Sequence, residues 1–368
     1  METKTIFVVS TNRSDYGLLQ AIIKKINKYK KYKLIVIRLV GKNNKNLDST
    51  ICVDWEEKII SYSLSSNDFK ETIYGSLEIC KSFSKLIIKK SPNLILVLGD
   101  RYELLPIVSQ ALISKIPIAH FSGGEITLGA IDDKIRNMVS FASDLHLVAH
   151  NEAKQRLSQV LGKNNTDNIY VVGEPGLEEI KNTKFKSIDY LSKLYNLDLT
   201  KKFIICTLHP ETSSNLFADQ ADIFFKTLSE FDSQIPILIS YGNNDPAGFD
   251  INLLMRKSLS KRKNTFMCES FGQINFWSLL SYAHIIIGNS SSGLVEAPFL
   301  GCWTIDVGNR QTGRIFGNTV MRINIDENEI NHTLLLLLKK ERSISRFSPY
   351  GDGESSNSIL KIINSFLQ

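Results

Sequence analysis

The 368-residue sequence has only five cysteines, Cys52, Cys80, Cys206, Cys268 and Cys302. They are odd in number, scattered, and never spaced as Cys-x-x-Cys, which argues against a disulfide framework or a zinc ribbon and suits reduced thiols in a cytoplasmic protein. Long apolar runs are missing as well. The run Leu334 to Leu338 falls far short of the roughly 20 residues needed to span a bilayer. The apolar stretch after Met1-Glu2-Thr3-Lys4 is too short for a signal peptide, so no membrane partner is expected. The six histidines are not placed as a metal-ligand pair on a helix, and no metal is expected. Neither Gly-x-x-x-x-Gly-Lys-[Ser/Thr] nor Gly-x-Gly-x-x-Gly occurs, which removes support for a P-loop nucleotidase and for a dinucleotide enzyme. Net charge is +6, but no basic run carries interleaved aromatics, so nucleic acid is not an expected partner. The modest positive bias favours an anionic small substrate.

What is present is an alternation of short apolar runs and longer helical patterns from end to end. Thr5–Ser10, Lys33–Val40, Leu94–Leu98, Ile116–His120, Leu145–Ala149 and Ile169–Val172 read as buried strands. Thr11–Gly17 reads as a loop, with helices at Leu18–Tyr29 and Phe69–Lys90. A polar helical stretch from Glu174 to Thr200 carries no strong strand and reads as a crossover. A second series follows, with strands at Phe203–Thr207, Ile235–Ser240, Thr265–Met267, Ile285–Gly288 and Trp303–Val307 and helices at Asn252–Leu259 and Gly293–Leu300. Continuous apolar strands separated by helices predict parallel sheets covered on both faces. The expected class is therefore α/β, with two Rossmann-like domains at 1–178 and 179–353. A last helix at 354–368, after the turn-rich Pro349–Gly353, is expected to pack back on the first domain.

In open α/β sheets ligands sit beyond the carboxyl ends of the strands, and the polar residues collect there. The first half offers Arg13 and Asp15, then Gly99-Asp100-Arg101, then Ser122-Gly123-Gly124-Glu125 with Asp132 and Asp133. The second offers His209-Pro210-Glu211, Gly242–Asp245, Asn289–Gly293 and Gly308-Asn309-Arg310. Gly288-Asn289-Ser290-Ser291-Ser292-Gly293 before an apolar helix suits phosphate, because a helix start presents backbone N–H groups and a positive dipole end. A serine cap without ligand is the plainer alternative. Arg13, Arg101 and Arg310 would complement a diphosphate. Asp100, Glu125 and Asp132 supply carboxylates for proton transfer, or turns and caps. His209 could stack, donate to phosphate, or act as an acid.

Taken in order, these segments resemble the hydrolysing UDP-N-acetylglucosamine 2-epimerase family of sialic- and legionaminic-acid pathways. The series runs through Thr11–Gly17, Gly99–Glu103, His120–Glu125, Gly129–Asp132, His209–Thr212, Gly288–Gly293, Arg310–Arg314 and Pro349–Gly353, nearly the whole chain. The resemblance implies a glycosyltransferase-B-like fold with an interdomain cleft, no cofactor, and a UDP-sugar substrate. It implies anti elimination of UDP to an enzyme-bound 2-acetamidoglucal, then hydration to the free manno-configured sugar. By position, Arg13, His209, Asn243, Ser290, Ser291, Glu296 and Arg310 match nucleotide-binding residues, with Ser292 beside them. Asp100 and Asp132 match the proton-transferring carboxylates, and Arg101 matches a ligand-site arginine. A homo-oligomer, dimer or tetramer, is expected.

Two positions depart from the family pattern. Ser122 stands where relatives often carry an acidic residue or histidine, and Gly41-Lys42-Asn43-Asn44 lacks the histidine of a Gly-x-His. Both bear on the sugar rather than on UDP. The substrate is expected to be UDP-GlcNAc or a UDP-2,4-diacetamido-2,4,6-trideoxyhexose. A non-hydrolysing 2-epimerase, a retaining glycosyltransferase and a non-catalytic nucleotide-sugar binder are the alternatives.

Overall fold

The computed structural model describes residues 3–42, 54–63, 69–127, 131–162, 166–211, 217–242, 248–342 and 348–368, with Arg13, Ser14 and Phe249 described in backbone only. The chain forms two compact units. The first comprises Met1–Glu125, Ile131–Lys181 and Tyr350–Gln368, and the second comprises Ile126–Ala130 and Asn182–Pro349.

In the first unit the strands are β1 (Lys4–Ser10), β2 (Tyr32–Gly41), β3 (Glu56–Tyr62), β4 (Leu94–Leu98), β5 (Ile118–Phe121), β6 (Leu145–Val148) and β7 (Ile169–Val171). Its helices are α1 (Arg13–Lys28), α2 (Phe69–Lys90), α3 (Leu104–Ile113), α4 (Ile131–Phe141), α5 (Asn151–Leu161) and α6 (Pro175–Asn182). All seven strands are parallel in the order β3-β2-β1-β4-β5-β6-β7. The two-residue period of a strand explains the two cores. Ile6 and Val8 of β1 pack on Leu19, Ile22, Ile23 and Ile26 of α1 and on Ile359, Leu360 and Ile363 near the C-terminus. Phe7 and Val9 face the other way, onto Ile79 and Phe83 of α2, Leu104 and Ile107 of α3, and Val139 of α4.

The second unit repeats the design. It holds α7 (Ile188–Tyr195), β8 (Ile204–Thr207), α8 (Phe217–Glu230), β9 (Ile237–Ser240), α9 (Gly248–Leu259), β10 (Thr265–Cys268) and α10 (Gln273–Tyr282). It continues with β11 (Ile285–Gly288), α11 (Ser292–Phe299), β12 (Trp303–Val307), β13 (Val320–Ile323) and α12 (Glu327–Lys339). Six parallel strands take the order β10-β9-β8-β11-β12-β13. α13 (Ser355–Phe366) then belongs to the first unit. Each sheet has the doubly wound order of a Rossmann-like domain. No described helix is long and apolar enough to cross a membrane.

Three elements differ from the sequence expectation. Helix α1 starts at Arg13 rather than Leu18, because the Asn12 side chain accepts the Asp15 N–H at 2.8 Å and caps the helix inside the expected loop. The edge strands β3 and β13 carry charges and half-exposed positions, so they lack the continuous apolar run that marks a central parallel strand. Four described cysteines are free, Cys206 and Cys302 buried among them; Cys52 lies outside the described residues.

Candidate functional site

In both sheets the strand order reverses beside the first strand of the unit, between β1 and β4 and between β8 and β11. Crevices for ligands open at the carboxyl ends of such pairs. In the first unit these ends carry Thr11 and Asp15 on one side and Gly99-Asp100-Arg101 on the other. Thr11 Oγ1 donates a hydrogen bond to Asp15 Oδ2. Burial pushes the Asp15 carboxyl up to about 6, against the opposing pull of the Thr11 hydrogen bond and the Arg101 charge. Arg101 forms a two-pronged pair with Glu103, Nη2–Oε1 at 3.1 Å and Nε–Oε2 at 3.3 Å. Glu103 is 1% exposed and also accepts the Tyr62 hydroxyl at 3.0 Å. Arg13 begins α1, and its side chain lies outside the described residues.

The loop bearing Asp100 is fixed from two directions. His120 is fully buried, with Nε2 2.8 Å from the Gly99 carbonyl oxygen and Nδ1 3.0 Å from Ser140 Oγ. Burial pulls its pKa down to about 4. The neutral ring donates from Nε2 to the carbonyl and accepts the serine hydroxyl at Nδ1. From the other side, Arg136 on α4 pairs with Asp100 Oδ2. The same guanidinium donates to the Glu125 carbonyl oxygen at 2.8 Å and to Asp133 Oδ1 at 3.1 Å. Arg136 is 1% exposed. One buried cation therefore ties the loop after β4, the loop after β5 and the first turn of α4, where half-buried Asp132 sits. Removing a partner from such a buried pair typically costs about 3–5 kcal/mol.

Glu125 is 7% exposed, and its Oε1 lies 2.6 Å from His150 Nε2. His150 Nδ1 accepts the Ala153 N–H at 3.1 Å and lies 3.2 Å from Glu152 Oε2. A Cβ added at Gly124, whose φ is +76°, would come within 2.2 Å of the Ala153 carbonyl oxygen, so this loop lies against the start of α5. Ser122 adopts φ +61° and donates from Oγ to Glu174 Oε2 at 3.3 Å.

In the second unit, fully buried Asn289 organises three strand ends. Its side chain brackets His209, accepting the N–H at 2.7 Å and donating to the carbonyl oxygen at 2.9 Å. Its own carbonyl oxygen accepts Arg310 Nη1 at 3.1 Å and Gln311 Nε2 at 2.8 Å. Glu211 Oε1 accepts the backbone N–H groups of Asn309 and Arg310 at 3.0 and 3.1 Å. The His209 ring is neutral, since burial, reinforced by Arg310, draws its pKa down to about 3. Ser291 makes no side-chain cap bond to α11, while Ser290 Oγ accepts the Ser292 N–H at 3.4 Å. Serine capping thus leaves hydroxyl capacity at the helix start. Glu296 accepts Trp277 Nε1 at 3.2 Å, and burial raises its pKa. Asn243 and its neighbours to Asp245 lie outside the described residues, as do Gly129, Thr212 and Asn43-Asn44.

The sequence reading names the strand-end residues but misses what holds them. Arg136, His150 and Glu174 act through contacts distant in sequence, as does Asn289, which the sequence marks at a helix start and not as the holder of His209. Arg136 leaves a local signal, one helical turn after Asp132 on α4. Chemically, the first unit offers acidic groups held rigidly near a buried cation. The second offers a helix start, hydroxyls, an arginine and a neutral histidine, a set suited to a phosphate-bearing ligand.

Known proteins resemble this chain along most of its length. The family model described as UDP-N-acetylglucosamine 2-epimerase matches residues 24–364. A GDP/UDP-N,N'-diacetylbacillosamine 2-epimerase (hydrolyzing) of Campylobacter jejuni is 33% identical over 90% of this chain and 86% of its own. A UDP-N,N'-diacetylbacillosamine 2-epimerase (hydrolyzing) of Legionella pneumophila is 26% identical over 99% of this chain and 96% of its own. The crystal structure of a Neisseria meningitidis UDP-GlcNAc 2-epimerase bound to UDP-GlcNAc superposes with a TM-score of 0.81 over 98% of this chain and all of the other, at 18% identity. With that likeness the fold is glycosyltransferase-B-like. From the match across most of its length and the 33% relative, the chain belongs to the UDP-N-acetylglucosamine 2-epimerase family of enzymes.

Proposed function

We propose that this UDP-sugar 2-epimerase is of the hydrolysing kind, converting a UDP-2-acetamido sugar to UDP and the free manno-configured sugar in nonulosonic acid biosynthesis. The observation that carries the reading is the convergence of Asp100 and the Asp132-bearing turn of α4 on buried Arg136. Such a junction keeps acid–base groups in one place without a metal. The hydrolysing relatives in Campylobacter jejuni and Legionella pneumophila support the same choice over a non-hydrolysing epimerase.

In this reading the second unit takes the nucleotide. Ser290, Ser291 and Ser292 with the start of α11 hold phosphate oxygens, Arg310 complements their charge, and neutral His209 serves as a hydrogen-bonding partner. Glu296 and Asn243 belong to the same nucleotide set. In the first unit Arg13 and Arg101 are the cations assigned to the charge that develops on the departing diphosphate. Asp100, with Asp132 in support, takes the proton from C2, and Glu125, pressed on His150, fixes the loop between them. Breaking the C1–O bond as the C2 proton leaves gives the glycal, and water adds at C1. The enzyme is further proposed to be cytoplasmic and a homo-oligomer.

The deciding experiment is turnover of a UDP-sugar panel in D2O followed by NMR. Equal amounts of free UDP and a sugar carrying one deuterium at C2 are expected. A product still attached to UDP overturns the hydrolysing assignment. Ser122 removes a charged group from the sugar side, so the 2,4-diacetamido-trideoxy substrate is expected to have the higher kcat/KM. A tenfold preference for UDP-GlcNAc, about 1.4 kcal/mol, reverses that choice.

Binding of UDP is expected without added divalent metal. Arg310→Ala and Ser290→Ala should each weaken it by about 1–3 kcal/mol, the range for a charge-assisted hydrogen bond. Calorimetry that finds both affinities unchanged takes these residues out of the site.

A further inference from the structure

Inversion at C2 requires a proton to leave one face of the sugar and another to arrive on the opposite face. Asp100 is suited to the first task, because buried Arg136 holds its carboxyl in place beyond the end of β4. The second task needs a group on a different wall of the site. Position 122 is one such place, but serine cannot serve as a general acid or base near neutral pH.

The fold brings another carboxyl group to that position. Glu174 follows β7, two strands along the sheet from β5, and its Oε2 accepts the Ser122 hydroxyl at 3.3 Å. Its backbone is anchored independently, since its N–H donates to the Tyr350 carbonyl oxygen at 2.7 Å. Pro175 opens α6 directly behind it, a position where proline stiffens a helix start. Ser122 is itself in the left-handed backbone region at the end of β5, and its N–H donates to the Leu147 carbonyl oxygen at 3.1 Å, so the backbone of this hydroxyl partner is held too. The Tyr350 ring meets the His150 ring edge-on at 5.3 Å, and His150 in turn holds Glu125. Glu174 is therefore joined, through fixed contacts, to the same loop cluster as Asp100, while remaining only partly buried.

We propose that Glu174 supplies the second proton-transfer group of this enzyme, taking over at the place where position 122 has only a hydroxyl. This rests on the hydrolysing reading above. In the first step the C2–H electron pair becomes the C1=C2 bond, the C1–O pair departs with UDP, and the proton goes to Asp100. In the second step the C1=C2 pair takes the proton of the Glu174 carboxyl at C2, and the oxygen of water bonds to C1. The water proton and the one held by Asp100 pass to solvent, and one proton from solvent returns to Glu174. One proton is released net with each UDP.

The test is single turnover by Glu174→Gln, with UDP, unsaturated sugar and saturated sugar followed together. UDP release within about tenfold of wild type is expected, with formation of the saturated sugar slowed on the order of 10²-fold or more and the 2-acetamidoglucal accumulating. Glu174→Asp, which withdraws the carboxyl by one methylene, should show the same accumulation to a smaller degree, and it serves if the glutamine variant does not fold. Saturated sugar at the wild-type rate from either variant overturns the role of Glu174 while leaving the hydrolysing reading in place. Loss of UDP release in step with the sugar, at unchanged melting temperature, also overturns it, since the block would then precede hydration. Failure of the hydrolysing reading is separately visible, as wild-type product that keeps its UDP.

Discussion

Asp100→Asn and Asp132→Asn are each expected to lower kcat by on the order of 10²-fold or more, with UDP affinity unchanged. The C2 proton is weakly acidic until the C1–O bond loosens, so a fixed carboxylate must take it as the bond breaks. An amide keeps the shape and a hydrogen-bond acceptor but has no basic site. For Asp100 the structural cost of the change needs separating from the chemical one, because buried Arg136 would lose one of its two carboxylate partners. In Asp100→Asn the amide oxygen can still accept from the guanidinium, and the Asp133 and Glu125 contacts of Arg136 persist. A melting temperature lowered by a few degrees is consistent with that, whereas a kinetic loss matched by lost UDP affinity would mean the loop itself had moved. The decisive readout is C2 exchange. With either variant, C2 hydrogen of recovered substrate and product should report a blocked first step, with no UDP released ahead of the sugar. Near wild-type turnover of both variants would remove these carboxylates from the reaction.

The second large effect is expected at Gly288. Its φ is +144°, and a Cβ built there would lie 1.8 Å from the Thr207 carbonyl oxygen on the neighbouring strand. Gly288 ends β11, which pairs with β8 through Gly288 and Thr207. The clash is with backbone, so no side chain can swing aside to relieve it. Gly288→Ala should destabilise the second unit by about 3 kcal/mol, the upper end for overpacking, and lower its melting transition by roughly 6–12 °C. Asn289 is the next residue, and it holds His209, Arg310 and Gln311. UDP binding should therefore fall even at temperatures where the variant is folded. A transition within about 1 °C of wild type would show that the two strands part more easily than their register implies.

The legible and illegible parts of this fold divide along a physical line. β4 and β11 are readable because each is a continuous apolar run buried on both faces, a pattern produced by the strand's own residues. β3 and β13 lie at sheet edges, where one side meets no strand and charge is tolerated, so their local composition resembles loop. The start of α1 hides for a different reason. Asn12 and Gly17 suggest a turn when read singly, and only the capping bond from Asp15 together with the burial of Leu19, Ile22 and Ile23 draws the helix across them. At the site, polar residues beyond strand ends mark themselves against apolar runs, which is why Asp100, His209, Ser290 and Arg310 are visible. Their holders are not. Arg136 under Asp100 and His150 against Glu125 are ordinary polar residues in sequence, made distinctive by burial against partners far along the chain.

The return of α13 to the first sheet bears on how the protein comes into being. Ile359, Leu360 and Ile363 complete the core formed by β1 and α1, yet in the chain they follow the whole of the second unit. Almost all of the second unit lies between Asn182 and Pro349, and that stretch is synthesised before them. The unit that starts first in the chain is thus closed last. During translation β1 and α1 must wait with an uncovered apolar face through the making of an entire neighbouring domain. That interval is where a nascent chain of this design is most dependent on chaperones and most sensitive to substitutions in α1.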